Sequence, residues 1–208
     1  IDSAFWQCNQ GNEPGCNFDH LDLEELSSRQ IPAFHIPETQ SVAAAEMTLL
    51  LLLAACRKYP LALHQLQKGD WQRDQLLGRQ LSGQTLGIIG LGRVGKAVAQ
   101  RAQALGLKVL AYDPYLENHD PNIPMMGFEE MMRSVDIVSL HVPKTKKTRH
   151  MIKAETLSWL STDAILINMS RGDVIHEPDL VQHLMENKDF VAALDVFERE
   201  PLSIDSPL

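Results

Sequence analysis

The chain has 208 residues, 44% of them hydrophobic and 22% charged, which is the make-up of an ordinary folded globular protein. A net charge of −8 excludes general affinity for nucleic acid, because neutralising phosphates needs a basic surface. The most apolar run, at 48–56, falls far short of the ~20 residues a membrane span requires, so no membrane partner is expected.

Residues 1–19 are polar, rich in glycine and proline and without periodicity, and read as loop. Cys8, Cys16 and Cys56 form neither a paired framework nor a zinc-ligand spacing, so no metal is expected. With no signal-peptide pattern, this cysteine usage points to a reducing, cytoplasmic setting. The chain opens on Ile1 and reads like the middle of a protein. Residues 21–28 suit a short amphipathic helix, and 31–36 an extended segment between prolines. A long helix is expected over 41–59, apolar around its circumference and stopped by Pro60. Such a helix needs cover on all sides, between two lobes or in an oligomer interface. Residues 61–84 read as a helix end and an extended arm.

At 85–95 the pattern sharpens. A short apolar run, Leu86 to Ile89, meets Gly90, Gly92 and Gly95, and a helical run over 94–105 follows at once. Gly90 suits the tight turn out of a strand, Gly92 the close approach of backbone to a pyrophosphate, and Gly95 the packing of helix on sheet. A second strand at 108–112 ends in Asp113, roughly 20 residues on, where a carboxylate that binds ribose hydroxyls is expected. Further strands are expected at 137–140, 164–168 and 191–196, with helices at 128–134, 154–159 and 178–187. Unbroken apolar strands separated by helices imply an α/β fold, a Rossmann-type doubly wound parallel sheet covered on both faces.

In such a sheet ligands bind beyond the carboxyl ends of the strands. Those ends carry the glycine turn, Asp113, the stretch from His141 to Pro143, the stretch from Asn168 to Gly172, and the stretch from Asp195 to Glu200. Gly90-Leu91-Gly92-Arg93-Val94-Gly95, the run from His141 to Thr148, the run from Ile167 to Val174, and Ala193-Leu194-Asp195-Val196-Phe197-Glu198-Arg199-Glu200-Pro201 resemble, in this order and spacing, the D-isomer-specific 2-hydroxyacid dehydrogenases. The resemblance runs from about Asp19 to Leu202, and the stretch from Pro37 to Glu46 resembles that family's crossover between lobes.

The resemblance implies hydride transfer between a nicotinamide and C2 of a 2-keto or 2-hydroxy acid substrate, with NAD as cofactor. It implies a division into 1–40, a remnant of the substrate domain, 41–82, a crossover helix and dimerisation arm, and 83–208, the NAD-binding domain. By similarity Arg171 would bind the substrate carboxylate and polarise the keto oxygen, and Glu200 would hydrogen-bond a catalytic histidine. Asp195 would hold the nicotinamide carboxamide. Gly90, Gly92, Arg93, Val94 and Gly95 would cradle the pyrophosphate, and His141, Val142, Pro143, Thr148, Met169, Ser170 and Arg171 would line the cofactor cleft. A homodimer is implied as well.

The departures are equally specific. The family's Pro-His segment does not follow Glu200 within this sequence, and most of the substrate lobe is missing, so the chain is expected to be a fragment without turnover of its own. Asn17 stands where the family usually has glycine, Lys144 replaces a leucine, and His176 an Asp or Asn. Local alternatives stay open. Arg171 also reads as a surface arginine in a turn, Asp113 as a turn residue before Pro114, Asp195 as the N-cap of a following helix, and His141 as a packing or capping residue. The basic run Lys144, Lys146, Lys147 and Arg149 reads as a solvated loop or as help for a 2′-phosphate. Since no cation directly follows Asp113, NAD is favoured over NADP. At the level of function the rivals are an NAD(H)-sensing scaffold of the corepressor kind and an enzyme acting on formate or phosphite.

Overall fold

The computed structural model describes residues 22–32, 41–117 and 120–208. The expected loop at 1–19, with Cys8, Cys16 and Asn17, lies outside them, as do His20, His35, His119 and most of the segment expected over 31–36. Helix α1 (Leu23–Ser28) opens on Asp22, whose carboxylate accepts the Glu25 N–H at 2.9 Å. Helix α2 (Ser41–Cys56) ends earlier than the sequence suggests. The helix breaks before Lys58, which takes a left-handed conformation with φ 51°, and a separate helix α3 (Tyr59–Gln67) begins. Pro60 therefore opens a helix instead of stopping one, since proline in a first turn forfeits no hydrogen bond. A 3-10 turn (Arg73–Leu76) then leads into the sheet.

Five parallel strands form the sheet: β1 (Thr85–Ile89), β2 (Lys108–Tyr112), β3 (Ile137–Leu140), β4 (Ile165–Asn168) and β5 (Val191–Leu194). Their spatial order is β2-β1-β3-β4-β5. Between them run α4 (Arg93–Ala104), α5 (Phe128–Ser134), α6 (Ala154–Leu157) and α7 (Glu177–Glu186). The strands were expected from their unbroken apolar runs, and four of the five are buried along nearly their whole length or on alternate residues. A feature not expected is the bridge of Met125 to Ala111, where the Met126 N–H donates to the Ala111 carbonyl at 2.9 Å. It adds one more parallel position outside β2, the place a third strand holds in a nucleotide-binding half.

The pleat sends alternate residues to opposite faces. Leu86 and Ile88 join a core with Val98, Ala99 and Ala102 of α4 and with Ala45, Leu52 and Cys56 of α2. Ile89, Val138, Leu140 and Leu166 join the other core, with Met131 and Met132 of α5, Leu157 of α6 and Leu180 of α7. Both faces are thus covered, as a parallel sheet requires. Burial of α2, in contrast, is confined to one stripe, Ala45, Thr48, Leu52 and Cys56, while Val42, Leu50 and Leu53 face outward. No helix among the described residues is long and apolar enough to cross a membrane.

Candidate functional site

From β1 the chain crosses to β2 in one direction, and β3, β4 and β5 extend in the other, so the order switches between β1 and β3. The crevice at the carboxyl ends of these two strands is where this architecture binds ligands. The glycine turn stands there. Gly90 has φ 91°, and a Cβ on it would lie 2.4 Å from the His141 carbonyl oxygen. Its N–H donates to the Tyr112 carbonyl at 2.9 Å, and the His141 N–H donates to the Ile89 carbonyl at 2.7 Å. The turn is therefore pinned between the ends of β2 and β3.

Gly95, in the first turn of α4, is pressed against the same loop, because a Cβ there would be 2.1 Å from the Gly90 carbonyl oxygen. Gly92 is different. A Cβ on it would meet nothing within 4 Å, and no side chain caps the helix that begins beside it. An uncapped helix N-terminus with open space over a glycine suits an anionic group, since the helix dipole and the backbone N–H groups both favour negative charge. Arg93 and Val94 form the start of that helix.

Asp113 closes the turn from the side. Its Oδ2 accepts the Leu91 N–H at 3.0 Å and its Oδ1 the Tyr115 N–H at 3.0 Å. An ionised carboxylate has about four acceptor positions, so capacity for ligand hydroxyls remains. The Lys147 ammonium lies 5.4 Å from the Tyr115 ring centroid, and Lys144 is in an ion pair with Asp173 at 2.7 Å. Part of the basic run is thus engaged within the protein.

At the end of β3 the His141 Nε2 lies 2.8 Å from the Ser139 hydroxyl, and desolvation pushes the imidazole pKa down to about 4. His141 is therefore neutral at pH 7, in keeping with its reading as a packing residue at the strand end. Beyond Val142, the Pro143 carbonyl accepts the Thr148 hydroxyl at 2.6 Å, and Thr148 also accepts the Thr145 N–H at 2.9 Å, which folds the 143–148 loop on itself.

After β4 the Asn168 side chain shapes the turn. Its Oδ1 accepts both the Ser170 N–H at 3.0 Å and the Ser170 hydroxyl at 2.9 Å, while its Nδ2 donates to the Arg171 carbonyl at 2.9 Å. Met169 packs on the α4 side of the sheet, and Ser170 is buried. Arg171 donates from Nη1 to the Ser170 carbonyl at 2.6 Å, so its guanidinium is held at the strand end. Asp195 follows β5, with its N–H on the Asn168 carbonyl at 3.1 Å and its side chain exposed. No helix follows it, which removes the N-cap reading. Glu200 is exposed, and its Oε1 accepts the Phe197 N–H at 3.1 Å. The expected residues thus gather along one edge of the sheet. Asn168, His150, Glu177 and Glu198, which also hold these loops, were not singled out by sequence. Asn168 had a signal in its place at the strand end and Glu198 in the run from Ala193 to Pro201; His150 and Glu177 had none. Among the described residues no group of His, Cys, Asp and Glu is arranged to hold a metal.

The profile of the D-isomer specific 2-hydroxyacid dehydrogenase NAD binding domain matches residues 49–208. The chain belongs to this family. Among its relatives, the D-3-phosphoglycerate dehydrogenase of Methanocaldococcus jannaschii is 40% identical over 200 residues, covering 93% of this chain and 38% of that protein. The hydroxypyruvate reductase of Thermotoga maritima is 35% identical, covering 90% of this chain and 61% of that protein. The chain therefore spans less than two thirds of the length of these dehydrogenases. Among solved structures, the TT0316 protein of Thermus thermophilus superposes with a TM-score of 0.84 at 36% identity, over 91% of this chain and 61% of that one. The D-lactate dehydrogenase of Aquifex aeolicus, solved with NAD and lactic acid, superposes with a TM-score of 0.80 at 34% identity, over 88% of this chain and 56% of that one.

Proposed function

We propose that the full-length protein is an NAD-dependent oxidoreductase acting between a 2-keto acid and a D-2-hydroxy acid. The observation that carries this reading is that an open glycine cradle at Gly92, after β1, and Arg171, after β4, stand at the same carboxyl edge of the parallel sheet. Gly90, Gly92, Arg93, Val94 and Gly95 hold the pyrophosphate, and Asp113 the ribose hydroxyls. His141, Val142, Pro143, Thr148, Met169, Ser170 and Arg171 line the cleft, and Asp195 orients the carboxamide. Residues 114–116 (Pro, Tyr, Leu) offer no cation for a 2′-phosphate, so NAD is the cofactor. When bound, it carries the hydride.

Arg171 grips the substrate carboxylate with a planar, permanently charged fork and draws electron density from the keto oxygen. Glu200 hydrogen-bonds a proton-donating histidine of the full-length protein, keeping it charged until the alkoxide takes the proton. Residues 1–40 belong to a substrate lobe, 41–82 form the crossover helix and dimer arm, and 83–208 the NAD-binding domain. Cysteine usage fits a cytoplasmic setting, and the outward apolar residues of α2 and α3 support a homodimer.

Full-length protein supplied with NADH should reduce at least one member of a broad 2-keto acid panel. Loss of one charged transition-state contact typically costs a factor of about 10² or more, so Arg171→Ala should remove most of that rate. NADH binding with no turnover on any member would instead leave an NAD-sensing scaffold.

A further inference from the structure

Four loops meet beside the candidate site, and a set of charged residues outside it ties three of them together. The loop after β5 carries Asp195 and Glu200, and Glu198 lies between them. One Glu198 carboxylate oxygen pairs with His150 Nε2 at 2.7 Å. The Glu198 N–H donates to the Glu177 carboxylate at 2.6 Å, at the start of α7. The backbone of Gly172 is flush with the same loop, since a Cβ there would fall 1.8 Å from the Phe197 carbonyl carbon.

The other half of the pair is equally anchored. His150 has φ 50°, a left-handed conformation uncommon outside glycine. Its N–H donates to the Asp173 carbonyl at 2.8 Å, and the following Ile152 bridges to Ile175. Its ring meets the His176 ring edge-on at a centroid distance of 4.8 Å, and His176 is paired through Nδ1 with Asp179 at 2.9 Å. His150, on the stretch between β3 and α6, is therefore hydrogen-bonded to the segment that continues from Arg171 and Gly172, and it reaches across to the segment that carries Glu200.

We infer that His150 and Glu198, with Glu177, are positioning residues that fix the Arg171 loop and the Glu200 loop relative to each other. This inference rests on the dehydrogenase reading above. The two candidate catalytic groups come from different strand ends, β4 and β5; Asn168 ties the turn to Arg171 onto β4 and accepts the Asp195 N–H at the start of the other loop, but the stretch from Glu198 to Glu200 lies beyond both ties. Catalysis by a held substrate is sensitive to misplacement on the scale of an ångström. A partly exposed histidine–carboxylate contact contributes little to global stability, so its effect falls on geometry.

The test compares His150→Ala, His150→Gln and Glu198→Gln with the wild type in the full-length protein. His150→Ala and Glu198→Gln should lower kcat by between about 10-fold and 100-fold, the range expected of misplaced catalytic groups. KM for NADH and the melting temperature should stay unchanged. His150→Gln, whose amide still donates to Glu198, should recover part of the loss, and the double variant should be no slower than the slower single one. In parallel, amide hydrogen exchange across 195–200 should rise in His150→Ala and Glu198→Gln. Unchanged kcat overturns the inference, and so does a change confined to melting temperature or NADH affinity. If the wild type reduces no keto acid, the dehydrogenase reading fails on its own. Exchange across 195–200 then decides the positioning role, and unchanged protection overturns it.

Discussion

Gly92 and Gly95 share one turn, yet they are glycines for different reasons. At Gly95 the obstacle is the protein itself, the Gly90 carbonyl 2.1 Å from a would-be Cβ, whereas at Gly92 nothing of the protein stands within 4 Å. Gly95→Ala should therefore lower the melting temperature, while Gly92→Ala should leave it unchanged and weaken NADH binding by about tenfold or more, a loss of roughly 1.4 kcal/mol. Paired thermal melts and NADH titrations separate the two. His141 gives a second test at this scale. Its pKa is pushed down to about 4 in the fold, against about 6.5 in an unfolded chain. Below pH 6.5 the unfolded state takes up the proton first, so stability present at neutral pH is lost as pH falls towards 4, by up to about 3 kcal/mol. Melting curves from pH 7.5 to 4.5 should show that loss in wild type and a smaller one in His141→Gln. The glycines were legible in the sequence because their constraint is local: a turn, a φ, a neighbouring carbonyl. The pair of His150 with Glu198 was not, because it joins residues far apart in the chain and no local pattern says which side chains will meet.

Strands and helices were legible where burial is two-sided. Ile137–Leu140 and Ile165–Asn168 are apolar at nearly every position because helices cover both faces, so their ends could be read closely. The position of Met125 outside β2 was not legible, since one bridge leaves no periodicity to detect. The end of α2 failed for another reason. Pro60 reads as a terminator, but the break is made upstream by the left-handed Lys58. The apolar character of α2 itself was read correctly, and only part of it is used within the chain: Leu50 remains 57% exposed, with Leu53 beside it and Leu61, Leu63 and Leu66 exposed on α3. If this face pairs with a second copy, Leu50→Lys with Leu53→Lys should convert the full-length protein from dimer to monomer, as read by light scattering. A dimer of unchanged mass would place the interface elsewhere.

On the scale of the whole molecule, the sheet is a scaffold that delivers its polar groups to a single edge. The glycine turn leaves β1, Asp113 leaves β2, His141 leaves β3, Arg171 leaves β4, and Asp195 and Glu200 leave β5. Their gathering follows from parallel strands pointing the same way, which is why a list of strand ends read from the sequence gives the residues that share this edge. What the sequence alone could not supply is how those ends are tied: Asp113 to Leu91, Asn168 to Ser170, and Glu198 to His150 and Glu177. The most direct measurement of the central claim is the configuration of the alcohol that the full-length protein makes from a 2-keto acid with NADH. The expected product is the D-2-hydroxy acid, with the rate lost in Arg171→Ala. An L product, or no reduction of any 2-keto acid, would contradict it.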